Sequence, residues 1–89
     1  MAEVILSGPL RIYTGGKKVI IMEGNTIWNV IKALNNEYPD WKDKLIRNGK
    51  LSMQMTILVN NRDIRLLEHE KTRVDKNSKI MILPTLIGG

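Results

Sequence analysis

The sequence predicts an α+β fold, a mixed sheet of about four to five strands with one main helix across one face and a second short helix. Three observations carry that prediction. Short apolar blocks lie near both ends of the chain, the residues from Ile27 to Tyr38 follow a helical period, and the final block, Ile80-Met81-Ile82-Leu83, is apolar at every position. A strand that is apolar on both faces sits mid-sheet, paired on both sides. The first and last strands therefore belong side by side and parallel at the centre.

Residues 2–6 suit a strand, which Gly8-Pro9 interrupts. Leu10 to Tyr13 either continue it past a bulge or form an irregular turn. Thr14-Gly15-Gly16 offers the positive φ of a tight hairpin, and Val19-Ile20-Ile21-Met22 supplies the returning strand. Glu23-Gly24-Asn25-Thr26 then announces a helix, because Asn25 or Thr26 can accept from its first free backbone donors. Ile27, Val30, Ile31, Leu34 and Tyr38 make one apolar stripe, which packs on a sheet. Asn35-Asn36 and Pro39 end this helix, since the residue before a proline is pushed out of the helical region. A shorter helical turn over 41–47 gathers Trp41, Leu45 and Ile46 on one side, and Asn48-Gly49 stops it.

Residues 53–60 alternate, with Met53, Met55, Ile57 and Val59 on one face and Gln54, Thr56 and Leu58 on the other, as a half-buried strand does. Asn60-Asn61 turns the chain into a short edge strand, Arg62-Asp63-Ile64-Arg65. Leu66-Leu67 are expected beneath the following loop, residues 68–73 in solvent, and Asp75-Lys76-Asn77-Ser78 in a turn before the last strand. Pro84 ends that strand for want of a backbone donor. Residues 1–83 read as one domain and 84–89 as a flexible tail ending in Gly-Gly. This order of elements is that of a β-grasp, the ubiquitin-like architecture; a ferredoxin-like sandwich is the alternative.

Composition narrows the function classes. Eighty-nine residues make one small domain, and the absence of cysteine removes disulfides, thiolate metal sites and cysteine nucleophiles. The net charge of +5 favours acidic partners. Yet Lys17-Lys18 is the only adjacent basic pair and no aromatic platform is interleaved, so nucleic acid is not the expected partner. No signal-peptide pattern and no membrane-length apolar run is present, which predicts a cytoplasmic protein with no membrane partner. His69, the only histidine, lies between Glu68 and Glu70 and is read as solvated, with no metal. Trp28, Trp41 and the five methionines are assigned to the core, with an exposed Trp41 as the alternative that would serve an interface.

The tail carries the chemistry. Ile57-Leu58-Val59-Asn60-Asn61-Arg62-Asp63-Ile64 resembles an ILVNGRDI segment, and Ile80-Met81-Ile82-Leu83-Pro84 with Gly88-Gly89 resembles a final strand, proline and diglycine. On these residues the chain is similar to the MoaD and ThiS sulfur carriers. It is more similar to MoaD, the small subunit of molybdopterin synthase, which Gly49-Lys50-Leu51 and the stretch from Pro39 also match. It departs from the family in Asn61 for a glycine, in Asp75-Lys76-Asn77-Ser78-Lys79 for an acidic turn, in a bulky Ile87 and in its basic charge.

The resemblance implies a carrier with no catalytic machinery and no bound cofactor. A ubiquitin-activating-type adenylyltransferase (MoeB/ThiF-like) would use ATP to adenylate Gly89, which then becomes a thiocarboxylate. A MoaE-like large subunit would receive it, and the pterin precursor would take the sulfur. Gly88 gives steric access, while Pro84, Thr85, Leu86 and Ile87 supply reach and partner contact. Three other readings stand beside this one: a ubiquitin-like modifier joined through Gly89 to lysines, a sulfur carrier for tRNA thiolation or thiamine synthesis, and an RNA-binding module.

Overall fold

A computed structural model of the chain describes residues 1–85. Strands β1 (Ala2–Leu6) and β2 (Val19–Met22) pair antiparallel, and helix α1 (Ile27–Glu37) follows them. A two-stranded ribbon comes next, β3 (Ile46–Arg47) with β4 (Lys50–Leu51). Then come β5 (Met55–Val59), β6 (Arg62–Asp63) and β7 (Lys79–Pro84). The main sheet has five strands in the order β2-β1-β7-β5-β6. Strand β7 lies between β1, to which it is parallel, and β5, to which it is antiparallel. This is the β-grasp the sequence predicts, with the terminal strand at the centre.

One face of the sheet forms the core. Ala2, Val4, Leu6, Ile20, Met22, Ile57, Val59, Ile80 and Ile82 point inward against Ile27, Val30, Ile31 and Leu34 of α1. The helix begins where the side-chain oxygen of Thr26 accepts from the Asn29 N–H at 3.2 Å, which identifies Thr26 as the cap. Its first turn is held from outside as well. The Ile27 N–H donates to Thr72 O and the Val74 N–H to Asn25 O, tying residues 72–74 across the helix start.

Several local expectations are corrected. The β1–β2 connection is no tight hairpin: a 3₁₀ helix (Gly8–Thr14) intervenes, burying Leu10 and Thr14, and Gly15 caps it at φ +67°. Glycine's freedom at positive φ serves a helix end here. The short helix runs over Pro39–Lys44, and Asn48-Gly49 (φ +54° and +75°) forms the two-residue turn between β3 and β4. Both central residues at positive φ match the twist of a hairpin. Met53 lies outside β5 and is 88% exposed, and of five methionines only Met22 is buried in the core. Ile64 leaves the edge strand and starts a 3₁₀ turn (Ile64–Leu66), which carries Leu66 into solvent. Pro84 lies inside β7, as its last residue, and does not follow it. Trp41 is fully buried and stacked on Tyr13 at 4.7 Å between ring centroids, so it serves no interface.

Candidate functional site

The exit of the chain from β7 is built from both flanking strands. Even-numbered residues of β7 turn their backbone toward β1, where the Ser7 N–H donates to Ile82 O at 3.1 Å. Pro84 continues that series at a point where β1 has ended, so its missing N–H breaks no ladder bond. On the other side Pro84 stands opposite Met55, and the Thr85 N–H donates to Gln54 O at 2.9 Å. The hydroxyls of Thr85 and Thr56 share a hydrogen bond of 2.9 Å. Of the candidate residues, Pro84 and Thr85 are thus fixed to the sheet. Leu86, Ile87, Gly88 and Gly89 lie outside the described residues.

The second component is the sheet face turned away from the helix. Register places Val19, Ile5, Met81 and Leu58 in one row across four strands, with Leu83 and Ile21 in the rows beside it. Val19 is 43% and Ile21 54% exposed, and the other four are half-buried. Among the described residues nothing covers this apolar row. The block Ile80-Met81-Ile82-Leu83 is therefore apolar on both faces for two reasons: Ile80 and Ile82 fill the core, while Met81 and Leu83 face out beside the exit. Sequence reasoning assigned the whole block to burial and missed this surface. The signal was present in Val19-Ile20-Ile21-Met22, an apolar strand at a sheet edge.

Electrostatics set the surroundings. All fourteen basic residues except Arg11 are exposed, spread over the surface. Among the described residues one ion pair forms: Arg65 Nη2 meets Asp63 Oδ2 at 2.7 Å, and Asp63 Oδ1 accepts from the Arg65 N–H at 2.8 Å. The Arg65 guanidinium, and then its backbone N–H, hold the Asp63 carboxyl below the usual carboxylate range. His69 is exposed at φ +53°. No group of three His, Asp or Glu side chains among the described residues could hold a metal. No helix among them is long and apolar enough to cross a membrane.

Comparison with known proteins decides the family, because the ThiS family model matches residues 4–89, from β1 through the diglycine. The chain belongs to the ThiS family. Among the relatives of this ThiS-family chain, the sulfur carrier protein CysO of Mycobacterium tuberculosis is 32% identical over 83 residues, covering 90% of this chain and 89% of CysO. The solved BexX/CysO complex of Amycolatopsis orientalis contains a chain that superposes with a TM-score of 0.87 at 27% identity, each chain fully covered. Small archaeal modifier protein 1 of Methanosarcina acetivorans also gives 0.87, at 28% identity, over 99% of this chain and 95% of its own. The relatives of this ThiS-family chain are thus sulfur carriers and modifiers of ubiquitin-like fold.

Proposed function

We propose that this chain is a sulfur carrier that works through its C-terminal carboxylate. An α-carboxyl has a pKa of about 3.5 and is an anion at neutral pH. As a nucleophile it attacks the α-phosphorus of ATP, forming an acyl adenylate and releasing pyrophosphate. Sulfide, or a donor of equal oxidation level, then displaces AMP and leaves a thiocarboxylate on Gly89. Gly88 and Gly89 lack side chains, so the reacting carbon enters a narrow site at little steric cost. The four residues beyond Thr85 reach at most about 14 Å.

The observation that supports this reading best is that the family match runs through Gly89 while the structure anchors the strand before it on both sides. A reactive end on a short tether is aimed only if its base is rigid, and β7 is the central strand. The apolar row through Met81 offers the contact surface for the activating enzyme, a ubiquitin-activating-type adenylyltransferase of the MoeB/ThiF kind. The receiving enzyme we propose first is a MoaE-like large subunit, with the sulfur passing to a pterin precursor in molybdopterin synthesis. The likeness to CysO makes a different sulfur-receiving enzyme the competing destination.

The experiment is intact-mass measurement after incubation with such an adenylyltransferase, ATP and a sulfide source. A gain equal to oxygen replaced by sulfur, abolished on deleting Gly89, is expected; an unchanged mass sinks the carrier reading. Adding the MoaE-like subunit and the pterin precursor to the thiocarboxylate form then tests the destination. The likeness to a small archaeal modifier protein supports a second use of the same adenylate, attack by a lysine amine to give an isopeptide. Gly-Gly remnants on partner lysines after proteolysis would reveal it.

A further inference from the structure

The two edges of the main sheet are finished differently. At one edge β6 is two residues long, both charged (Arg62 and Asp63), and the chain leaves it at Ile64. Shortness and charge are the usual means of keeping an edge from pairing with another chain. At the other edge stands β2, Val19-Ile20-Ile21-Met22, which has no charge, no proline and no bulge in a register that runs unbroken against β1. Among the described residues β1 is its only partner strand.

The free side of β2 is assigned residue by residue. The Leu6 N–H donates to Lys18 O at 2.8 Å, so by strand alternation Lys18, Ile20 and Met22 turn their backbone groups toward β1. Val19 and Ile21 turn theirs to the open edge, where no described residue bonds to them. Their side chains stand exposed on the outer face, while those of Ile20 and Met22 are buried in the core and hold the strand extended. The edge is thus both rigid and unoccupied among the described residues.

Charge and apolar pattern select the occupant. Lys17-Lys18 precede the strand and Glu23 follows it, all three exposed. Antiparallel pairing of two copies brings the lysines of each to Glu23 of the other, whereas parallel pairing sets like charge against like. The open backbone groups meet only where odd-numbered residues stand opposite odd-numbered ones. One such register sets Val19 opposite Ile21 in both directions, Ile20 on the two-fold axis and Lys17 opposite Glu23. A shift of two residues either way sets Val19 against Glu23, or Ile21 against Lys17. We propose that β2 is a self-association edge, to which a second copy of this chain adds antiparallel in the first of these registers. Val19 and Ile21 exchange both backbone hydrogen bonds across the seam, and the two five-stranded sheets become one. A contact four residues long is small, so the dimer forms with a Kd of roughly 0.1 mM. The two β7 strands run antiparallel in it, so the exits at Thr85 point to opposite ends. Pairing does not depend on whether Gly89 carries sulfur, and either reading can fail alone.

The test follows the full ¹⁵N-labelled chain by sedimentation and amide exchange between roughly 20 μM and 2 mM at low salt, a range spanning the expected Kd. Over that range the mass should rise toward the dimer and the Val19 and Ile21 amides should slow about fivefold. The Ile20 and Met22 amides, already bonded to β1, should not change. Ile21→Pro removes an N–H that only the second copy uses, which an edge strand tolerates. Ile21→Lys puts a charge into the seam at an exposed position and covers the case in which proline disturbs the fold. Each should weaken association tenfold or more. Glu23→Lys alone, and Lys17→Glu with Lys18→Glu, should each weaken it, and an equimolar mixture of the two variants should restore it. The proposal is overturned if the chain stays monomeric at the highest concentration, if Ile21→Lys has no effect, or if the mixture restores nothing. It is also overturned if the changes fall on Met81 and Leu58 with no protection at Val19, which makes the contact face to face. Loss of the dimer on deleting residues 86–89 likewise overturns it, by placing the contact at the tail.

Discussion

Met81→Glu separates the outer sheet face from the fold that carries it. Met81 is half-buried at the middle of the apolar row, with Ile5 beside it on β1 and Leu58 on β5. Because its side chain faces away from the helix, the substitution creates no core cavity. What the fold loses is cross-strand apolar packing, worth about 1 kcal/mol on scales measured in sheets. For a domain of this size that lowers Tm by about 4 to 8 °C. What a docked partner loses is greater. A carboxylate placed at the desolvated centre of an interface costs about 2 kcal/mol or more, roughly a 30-fold loss of affinity. The assay is kcat/KM for ATP-dependent adenylation by an activating enzyme of the proposed type, measured alongside Tm. Met81→Leu should keep most of the activity, and Lys32→Glu, exposed on α1, should change neither quantity much. Adenylation by Met81→Glu within threefold of the parent chain would refute the assignment of this face to the partner.

Three further outcomes follow from the packing. Gly24→Ala places a Cβ 2.8 Å from Val30 N and 3.1 Å from Asn29 C at φ +142°. Backbone clash and positive φ together should cost about 2 to 4 kcal/mol, read as a lower urea midpoint at unchanged m. Trp41→Phe leaves a void of about 40 Å³, costing about 1 kcal/mol in cavity terms besides the lost transfer energy. It also removes a buried Nε1–H that has no partner among the described residues, an offset of about 1 to 3 kcal/mol. The net change should therefore stay near zero, whereas Trp41→Ala costs about 3 to 5 kcal/mol; a loss above 3 kcal/mol for Trp41→Phe would show the offset to be absent. Asp63 titrates below its ordinary value because of Arg65. Its contribution to stability is complete above pH of about 4 and fades as pH falls through the lower folded value. Asp63→Asn should flatten that part of a Tm-against-pH curve, and parallel curves would count against the pair.

Much of the helix was legible because the evidence for it is local. Thr26 meets its donor three residues on, and Ile27, Val30, Ile31 and Leu34 share a face through helical spacing alone, whatever lies opposite. The turn at Asn60-Asn61 was equally local, since both residues stand at positive φ and asparagine tolerates it. The same reasoning failed at Asn48-Gly49 and Thr14-Gly15-Gly16. Positive φ serves a hairpin turn and a helix cap alike, and only the partners of the flanking residues distinguish them.

The sequence by itself determined the strands of the main sheet, the main helix, the central place of the last strand, and the family to which Gly88-Gly89 points. Each depends on the order of apolar and polar residues or on a residue's own backbone preference. Only the tertiary structure decided which face of an apolar strand is covered and where the short strand β6 ends. Met81 and Ile82 are chemically similar neighbours, yet Ile82 is buried under the helix and Met81 faces outward, because one helix can cover only one side of the sheet. β6 ends two residues after its turn because Ile64 leaves the strand to pack in the core. Burial and pairing are relations between distant parts of the chain, and no window of sequence contains both partners.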